Sequence, residues 1–409
     1  MDYEKLLKDR KARGIGILKS SKLTFLGNFE WSVPSQSSQS SYTVKYDKHR
    51  NIVTCNCPDF ASRRIKCKHI CAVEYMLTKE IERKRNLNIA QPKRITYSQD
   101  WVAYDQAQTN QKALFMELLN DLCMTIPQTN NGIGRPKLPL SEMVFASTLK
   151  VYTTFTLRRF ITDINRAKEK GFISKIPHYS TVALYMESED LTPIIKRMIK
   201  ISALPLRLIE TDFTVDASGF STSRFDRWFN FKFGKKTKKR VWIKAHLMSG
   251  TKSNIVTSVE VTPSFEADTK FLKPLLSETV ENFQVKELSA DMGYSSSDNL
   301  QFITEQNATP YIPFKLNVKA RVYTPQIWRK MFSFFLFKQE EFLQHYHKRS
   351  KAETVFHMIK SKFGDSVRSK TPTAQINEVL LKVLCHNICV VIQEMFELGI
   401  KPNFCVEKG

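Results

Sequence analysis

Cys55-Asn56-Cys57, nine intervening residues, then Cys67-Lys68-His69 place three thiols and one imidazole within fifteen positions. Four soft or borderline donors gathered from so short a segment form the closed tetrahedral set that a structural Zn²⁺ ion takes. An alternating run, Tyr42-Thr43-Val44-Lys45-Tyr46, leads into the first pair, and Ile70, Val73, Met76 and Ile81 keep roughly helical spacing from Lys68 to Lys84. The expected module is strand, ligand loop and helix, with one ion stapling the elements together and contributing directly to folding. Buried free cysteines are the other reading, and Arg63, Arg64, Lys66 and Lys68 around the donors argue against it. Cys71, four residues past Cys67, competes with His69 for the fourth position; His69 is preferred.

The chain has 409 residues, and its 63 Lys+Arg against 40 Asp+Glu leave a formal net charge of +23. Such a surplus points to a polyanion, and nucleic acid fits better than a membrane because no long amphipathic basic helix stands out. An apolar fraction of 42% with 28 Phe supplies a sizeable core and excludes disorder of the whole chain. Met1 to Gly14 is charged throughout and lacks the apolar stretch of a secretory signal. Phe332 to Phe337 is too short to span a bilayer, and Val379 to Ile392 is broken by Lys382, His386 and Asn387. The expectation is a cytoplasmic, nucleoid-associated protein with no membrane partner, whose thiols are buried or bound to metal rather than paired.

Breaks in composition predict six segments: a basic tail over 1–25, the zinc module over 26–85, a Gln/Asn-rich linker with a short helix over 86–130, a helical region over 131–205, a mixed α/β domain over 206–372, and a helix over 373–409 that closes the core. In the helical region Leu157, Phe160, Ile161 and Ile164 share a face, Ser141 is a candidate cap, and Arg158, Arg159, Arg166, Lys168, Lys170 and Lys175 ride on the block. That is the footprint of a helix-turn-helix-like DNA-binding unit. Gly134-Arg135-Pro136-Lys137 suits a minor-groove hook. Strands are expected at Leu206 to Val215, Arg240 to His246, Asn254 to Val261 and Val285 to Ala290. Several neighbours joined directly, with helices between and after, make a mixed α/β order.

Three acidic residues sit in distinctive settings there. Asp216 is expected at the end of a strand, ahead of Ala217-Ser218-Gly219, and Asp291 closes the strand Val285 to Ala290. Glu353 shares offsets with Tyr346, Arg349 and Lys360 that place all four on one helix face. Two divalent cations need hard oxygen ligands from several carboxylates, and such a pair can activate an attacking oxygen and stabilise the leaving oxygen of a phosphodiester. Arg349, Lys360 and the Tyr346 hydroxyl could hold phosphates beside them. Asp212, four residues before Asp216 on the same strand face, is a rival first ligand. From Arg224 to Lys244 nine Lys/Arg interleave with Trp228, Phe229, Phe231, Phe233 and Trp242; Lys235, Lys236, Lys238, Lys239 and Arg240 are the expected phosphate contacts.

Around the cysteines, with Pro58-Asp59-Phe60 and Lys68-His69-Ile70 beside them, the sequence resembles the SWIM zinc finger over about residues 40–80. From about Ile209 to Ile400 it resembles the DDE transposases of prokaryotic insertion sequences, in the branch with a Tyr-x2-Arg-x3-Glu-x6-Lys signature, matched at Tyr346, Arg349, Glu353 and Lys360. Val215-Asp216-Ala217-Ser218-Gly219, Trp242 to Leu247 and Ala290-Asp291-Met292-Gly293-Tyr294 match that family's strands. The resemblance implies an RNase H-like mixed-sheet core in a multidomain α/β chain, and Asp216, Asp291 and Glu353 as catalytic ligands of two Mg²⁺ ions, with Mn²⁺ able to substitute. It further implies double-stranded DNA as partner, both element ends and target, a homodimer that synapses two ends, and cleavage followed by strand transfer. The alternative is a catalytically silent, transposase-derived, zinc-containing DNA-binding protein. A nuclease that cuts without joining is a third reading.

Overall fold

The computed structural model describes residues 3–27, 29–38, 40–47, 52–88, 95–127, 138–222, 242–314 and 325–404. The chain divides into two units, Met1–Pro92 and Lys93–Gly409. Lys235, Lys236, Lys238, Lys239 and Arg240, the aromatic residues from Trp228 to Phe233, and the Gly134–Lys137 hook lie outside the described residues.

The first unit opens with a helix, α1 (Tyr3–Ser20). An antiparallel meander follows, β1 (Thr24–Gly27), β2 (Glu30–Pro34), β3 (Ser41–Asp47) and β4 (Ile52–Cys55), then a short helix α2 (Pro58–Arg63) and the longer α3 (Lys68–Asn88). In β2 the alternation sends Trp31 and Val33 inward, where they meet Val44 and Ile70. The basic tail expected over 1–25 is instead helical through most of its length and joins this core. Ile17 is fully buried, and Gly14 lets the backbone of α1 approach α3 so closely that a Cβ there would stand 2.9 Å from both Lys68 O and Ala72 N. Arg10 adds hydrogen bonds to Lys66 O at 2.9 Å and Asp59 Oδ1 at 2.7 Å. The tail's charges hid this because only a narrow seam of it is buried.

The second unit begins with α4 (Trp101–Met124), which starts twelve residues before the short helix expected at Ala113. From Trp101 to Asn110 the Gln/Asn-rich run that suggested a linker belongs to this helix; Ala103, Ala107, Gln111, Phe115 and Leu118 are in its buried seam. Then come α5 (Leu140–Thr153), α6 (Ile161–Glu169), α7 (Tyr179–Met186) and α8 (Leu191–Ala203). Pro139, not Ser141, holds the cap position of α5.

A five-stranded sheet follows, built from β5 (Asp212–Ser221), β6 (Trp242–Gly250), β7 (Val256–Pro263), β8 (Glu287–Ala290) and β9 (Thr309–Tyr311), in the order β7-β6-β5-β8-β9. β7, β6 and β5 are antiparallel neighbours; β5, β8 and β9 run parallel. Helices α9 (Leu272–Val280) and α10 (Ser297–Glu305) make the connections around β8 that parallel pairing requires. The central strands read as apolar runs because both faces are covered. The chain ends with α11 (Gln326–Phe337), α12 (Gln339–Tyr346), a 3₁₀ turn His347–Arg349, α13 (Ser350–Phe363) and α14 (Pro372–Glu397).

Helix α14 is long and apolar enough to cross a membrane, yet 83% of its most apolar window is buried within the protein. It is the core helix of the unit. Three polar groups buried at its middle are engaged: Lys382 Nζ donates to Gly364 O and Ser366 O at 3.0 and 2.8 Å, His386 Nε2 meets Asn254 O at 2.9 Å, and Asn387 accepts from Val256 N at 3.0 Å and donates to Val256 O at 2.7 Å. Near its end, burial, with Glu397 and Glu210 adding like charge, raises the Glu394 carboxyl to about 7. A carboxyl raised in the folded state holds its proton longer than in the unfolded chain, so its contribution favours folding below pH 4.5 and is lost as pH rises through 7. Glu394→Gln should therefore stabilise the protein at pH 8, by about 1–3 kcal/mol, and change little at pH 5, measured by thermal melting of both proteins at each pH.

Candidate active site and metal centre

The zinc module draws its donors from three places: Cys55 ends β4, Cys57 caps α2, and Cys67 and His69 flank the start of α3. The donor atoms of Cys55, Cys57, Cys67 and His69 all lie within 4.8 Å of one another, and all four residues are buried. His69 Nδ1 stands 3.9 Å from both Cys55 Sγ and Cys67 Sγ. Zn–S bonds of about 2.3 Å in a tetrahedron put neighbouring ligand atoms roughly 3.8 Å apart, so the cage has the size for one Zn²⁺. Cys71 is buried outside this group, where burial raises its thiol. The Cys67 thiol is lowered to about 4, first by a hydrogen bond from Cys55 and against the opposing effect of burial, with His69 and the Ile70 amide assisting. Three thiols sharing one pocket thus present a thiolate, the form that binds metal.

The carboxylates gather on the second unit's sheet. Parallel pairing of β5 with β8 runs up to Val215 opposite Ala290, and Asp216 and Asp291 are the next residues on each. Asp216 does not end its strand, as expected, because β6 continues to pair with β5 as far as Ser221; it stands where the parallel partner stops. Asp291 caps the following turn, accepting from Met292 N at 2.7 Å. Arg349 bridges the first and third acids, with Nη1 at 3.6 Å from Asp216 Oδ2 and Nη2 at 2.5 Å from Glu353 Oε1. The Asp216 carboxyl is raised to about 6, mainly by burial, with Asp291 and Glu353 adding repulsion that Arg349 partly offsets.

Tyr346, Arg349, Glu353 and Lys360 do not share one helix. Tyr346 ends α12, Arg349 lies in the 3₁₀ turn, and Glu353 and Lys360 belong to α13. The turn breaks the helix because its middle residue is anchored: Lys348 Nζ reaches Asp212 Oδ2 at 2.6 Å and Glu287 Oε2 at 2.7 Å. All four residues still converge. Tyr346 is buried and its hydroxyl interacts with Arg349, while Lys360 Nζ bonds Ser218 Oγ at 2.6 Å, two residues past Asp216. Burial lowers the Lys360 ammonium.

Asp212, the rival first ligand, is committed elsewhere through its ion pair with Lys348. Burial opposes the charge of Lys348, and the two acids outweigh it and raise its pKa. His345 completes that network, with Nδ1 at 2.9 Å from Glu287 and its ring stacked on Tyr311 at 4.4 Å. Sequence reasoning missed Lys348 and Glu287, since an ion pair between residues 61 positions apart leaves no local signal. It also missed Tyr294, buried beside Asp268, Asp216 and Asp291, although the Asp291-Met292-Gly293-Tyr294 string had marked the place.

Hard oxygen donors, with a half-buried Asp216 carboxyl raised first by burial and then by its acidic neighbours and an exposed Glu353 carboxylate, suit a divalent cation, which would offset the repulsion among them. The two centres are thus a four-donor cage suited to zinc and a cluster of acids suited to a divalent cation. The transposase DDE domain family matches residues 209–388, and the SWIM zinc finger family matches residues 42–77. The chain carries a transposase DDE domain behind an N-terminal SWIM zinc finger. Neither curated proteins nor solved structures yield a match to it.

If the four-donor cage holds the ion, purified protein contains about one Zn per chain by metal analysis, Cys67→Ser loses it and Cys71→Ser retains it. Metal undiminished in the Cys67 variant would count against this ligand set.

Proposed function

We propose that the protein is a transposase that binds the ends of an insertion sequence and catalyses metal-dependent DNA cleavage and strand transfer. The observation that carries this reading is the placing of Asp216 and Asp291 side by side where the pairing of β5 with β8 stops, with Arg349 bridging Asp216 to Glu353. In this reading the sheet is an RNase H-like core, and the three acids are catalytic and hold two Mg²⁺ ions, or Mn²⁺ in their place. Bound there, the cations would activate the attacking oxygen and stabilise the leaving oxygen of a phosphodiester. Glu353, its side chain 55% exposed, and the exposed Asp291 are open to substrate, whereas Arg349 at 12% is set back. Arg349, Tyr346 and Lys360 hold and orient phosphates at the cut, the arginine through its planar fork of donors.

Arg158, Arg159, Arg166, Lys168, Lys170 and Lys175 are all exposed around α6 and α7, and we assign DNA contact to them as a helix-turn-helix-like surface. Lys235, Lys236, Lys238, Lys239 and Arg240 are assigned further phosphate contacts on sequence grounds. Cys55, Cys57, Cys67 and His69 hold one structural Zn²⁺. Two element ends must be brought together, so the working form is a homodimer in a synaptic complex, acting on DNA of the nucleoid.

The test is a cleavage and strand-transfer assay on double-stranded DNA carrying the element's own ends, with Mg²⁺, comparing wild type with Glu353→Gln. Losing a ligand worth several kcal/mol of transition-state stabilisation should reduce cutting and joining by roughly a hundredfold or more, while DNA binding persists. Tight binding with no cutting by either protein would favour a silent, transposase-derived DNA-binding protein.

A further inference from the structure

A cavity of about 370 Å³ opens in the second unit, away from the carboxylates, between the end of α5, the end of α7 and the start of α14. Its walls include Phe155, Leu157, Ala183 and Met186; Lys150, Arg368 and Lys370 supply three cations against the single carboxylate of Glu187. Phe155 is 45% exposed, which leaves part of its ring open at the cavity.

The walls are tied together. Arg368 Nη1 donates to Thr154 O, joining the segment before α14 to the turn after α5. The Glu378 carboxylate accepts from Arg368 N at 3.0 Å and from Ser369 N and Ser369 Oγ at 2.8 and 2.7 Å, which fixes the rim. No side chain caps α14, so its first amides add positive potential on the same side. The rim also continues from the catalytic strand: Ser221 N donates to Asp365 O at 3.0 Å and Val367 N to Ser221 O at 2.9 Å, five residues beyond Asp216.

We propose that this cavity receives one unstacked base of the DNA, with its phosphate held at the rim by Lys370 and Arg368. An apolar slot with a partly open aromatic ring takes a base face, and cations that outnumber acids take the backbone beside it, the combination by which proteins hold single-stranded nucleic acid. The volume lies near the lower end of small-molecule pockets, suited to one nucleotide and too small for a duplex end. Exposed Arg158 and Arg159, just past Phe155, extend the same positive track. The proposal rests on the transposase reading, since it takes DNA as the ligand.

The experiment measures equilibrium binding of the full chain, at one fixed salt concentration, to a duplex and to the same duplex bearing a single bulged 2-aminopurine nucleotide. The bulged duplex should bind about tenfold tighter, the size of one base stacked on an aromatic ring, with a change in 2-aminopurine fluorescence. Ala183→Trp, which fills the slot, should abolish the preference and leave binding of the perfect duplex within about twofold. Lys370→Ala, at an exposed position that leaves the core untouched, should reduce the preference about threefold and serves if the larger substitution unfolds the protein. Equal binding of the two duplexes, or a preference unchanged in both variants, overturns the pocket. Micromolar binding of free dAMP that Ala183→Trp removes, without preference for the bulge, overturns it in favour of a free-nucleotide site. Metal-dependent cutting that survives such a result leaves the transposase reading standing; failure to bind either duplex sinks both.

Discussion

The interior of α14 carries Lys382, His386 and Asn387 where a core helix would ordinarily be apolar, and each must find partners away from water. That requirement organises the second unit. Lys382 finds its partners in the carbonyls of Gly364 and Ser366, which end the helix bearing Glu353. Asn387 pairs with both backbone groups of Val256, as an extra rung on the edge strand β7, and donates as well to Ser202 Oγ at 3.0 Å on α8. Asn377 likewise holds Met186 O and Ser188 O beyond α7 at 2.9 and 3.0 Å. One buried helix thereby sets the sheet, the glutamate helix and the basic helical block against one another. Satisfying these groups is strongly directional, unlike the apolar contacts around them.

The same link joins the strand of Asp216 to the helix of Glu353. Phe220 lies on β5 beneath two ammonium groups, Lys360 at 5.2 Å and Lys382 at 5.5 Å from its ring centre. Ser221, next along, pairs with Ser366. The strand of Asp216 and the helix of Glu353 are therefore joined at the far end of the strand by backbone and cation–π contacts, and at the near end by Arg349. An electrostatic cluster of three acids needs such bracing, because their mutual repulsion would otherwise separate the elements that carry them.

What could be read from residues alone followed the range of the interactions. The zinc donors fall within fifteen positions, so spacing carried the whole cage, including the choice of His69 over Cys71. Asp216, Asp291 and the Tyr346–Lys360 string were legible because strand ends and helical offsets have short-range signatures, although the single helix face expected there is two helices and a turn. Four of the second unit's five strands were found, with starts shifted toward the C-terminus by up to six residues since buried apolar runs blur where pairing begins, and the three-residue β9 was missed. Illegible were the features set by distant partners: α1 docked through Gly14, the alanine seam of α4, and the Lys348 anchor on Asp212 and Glu287.

That anchor gives the segment 348–353 the character of a ruler. Lys348 is fastened to the first residues of the paired strands, Asp212 and Glu287, and farther along Arg349 links Asp216 to Glu353. Substitutions along the ruler remove one contact at a time and leave the remaining residues in phase. Adding or deleting a single residue between the anchor and Glu353 would turn the following helix by about 100° and carry the glutamate off the face that meets the aspartates. For this stretch the reading frame of the helix is under stricter constraint than most of its letters, so related sequences should vary here in composition well before they vary in length.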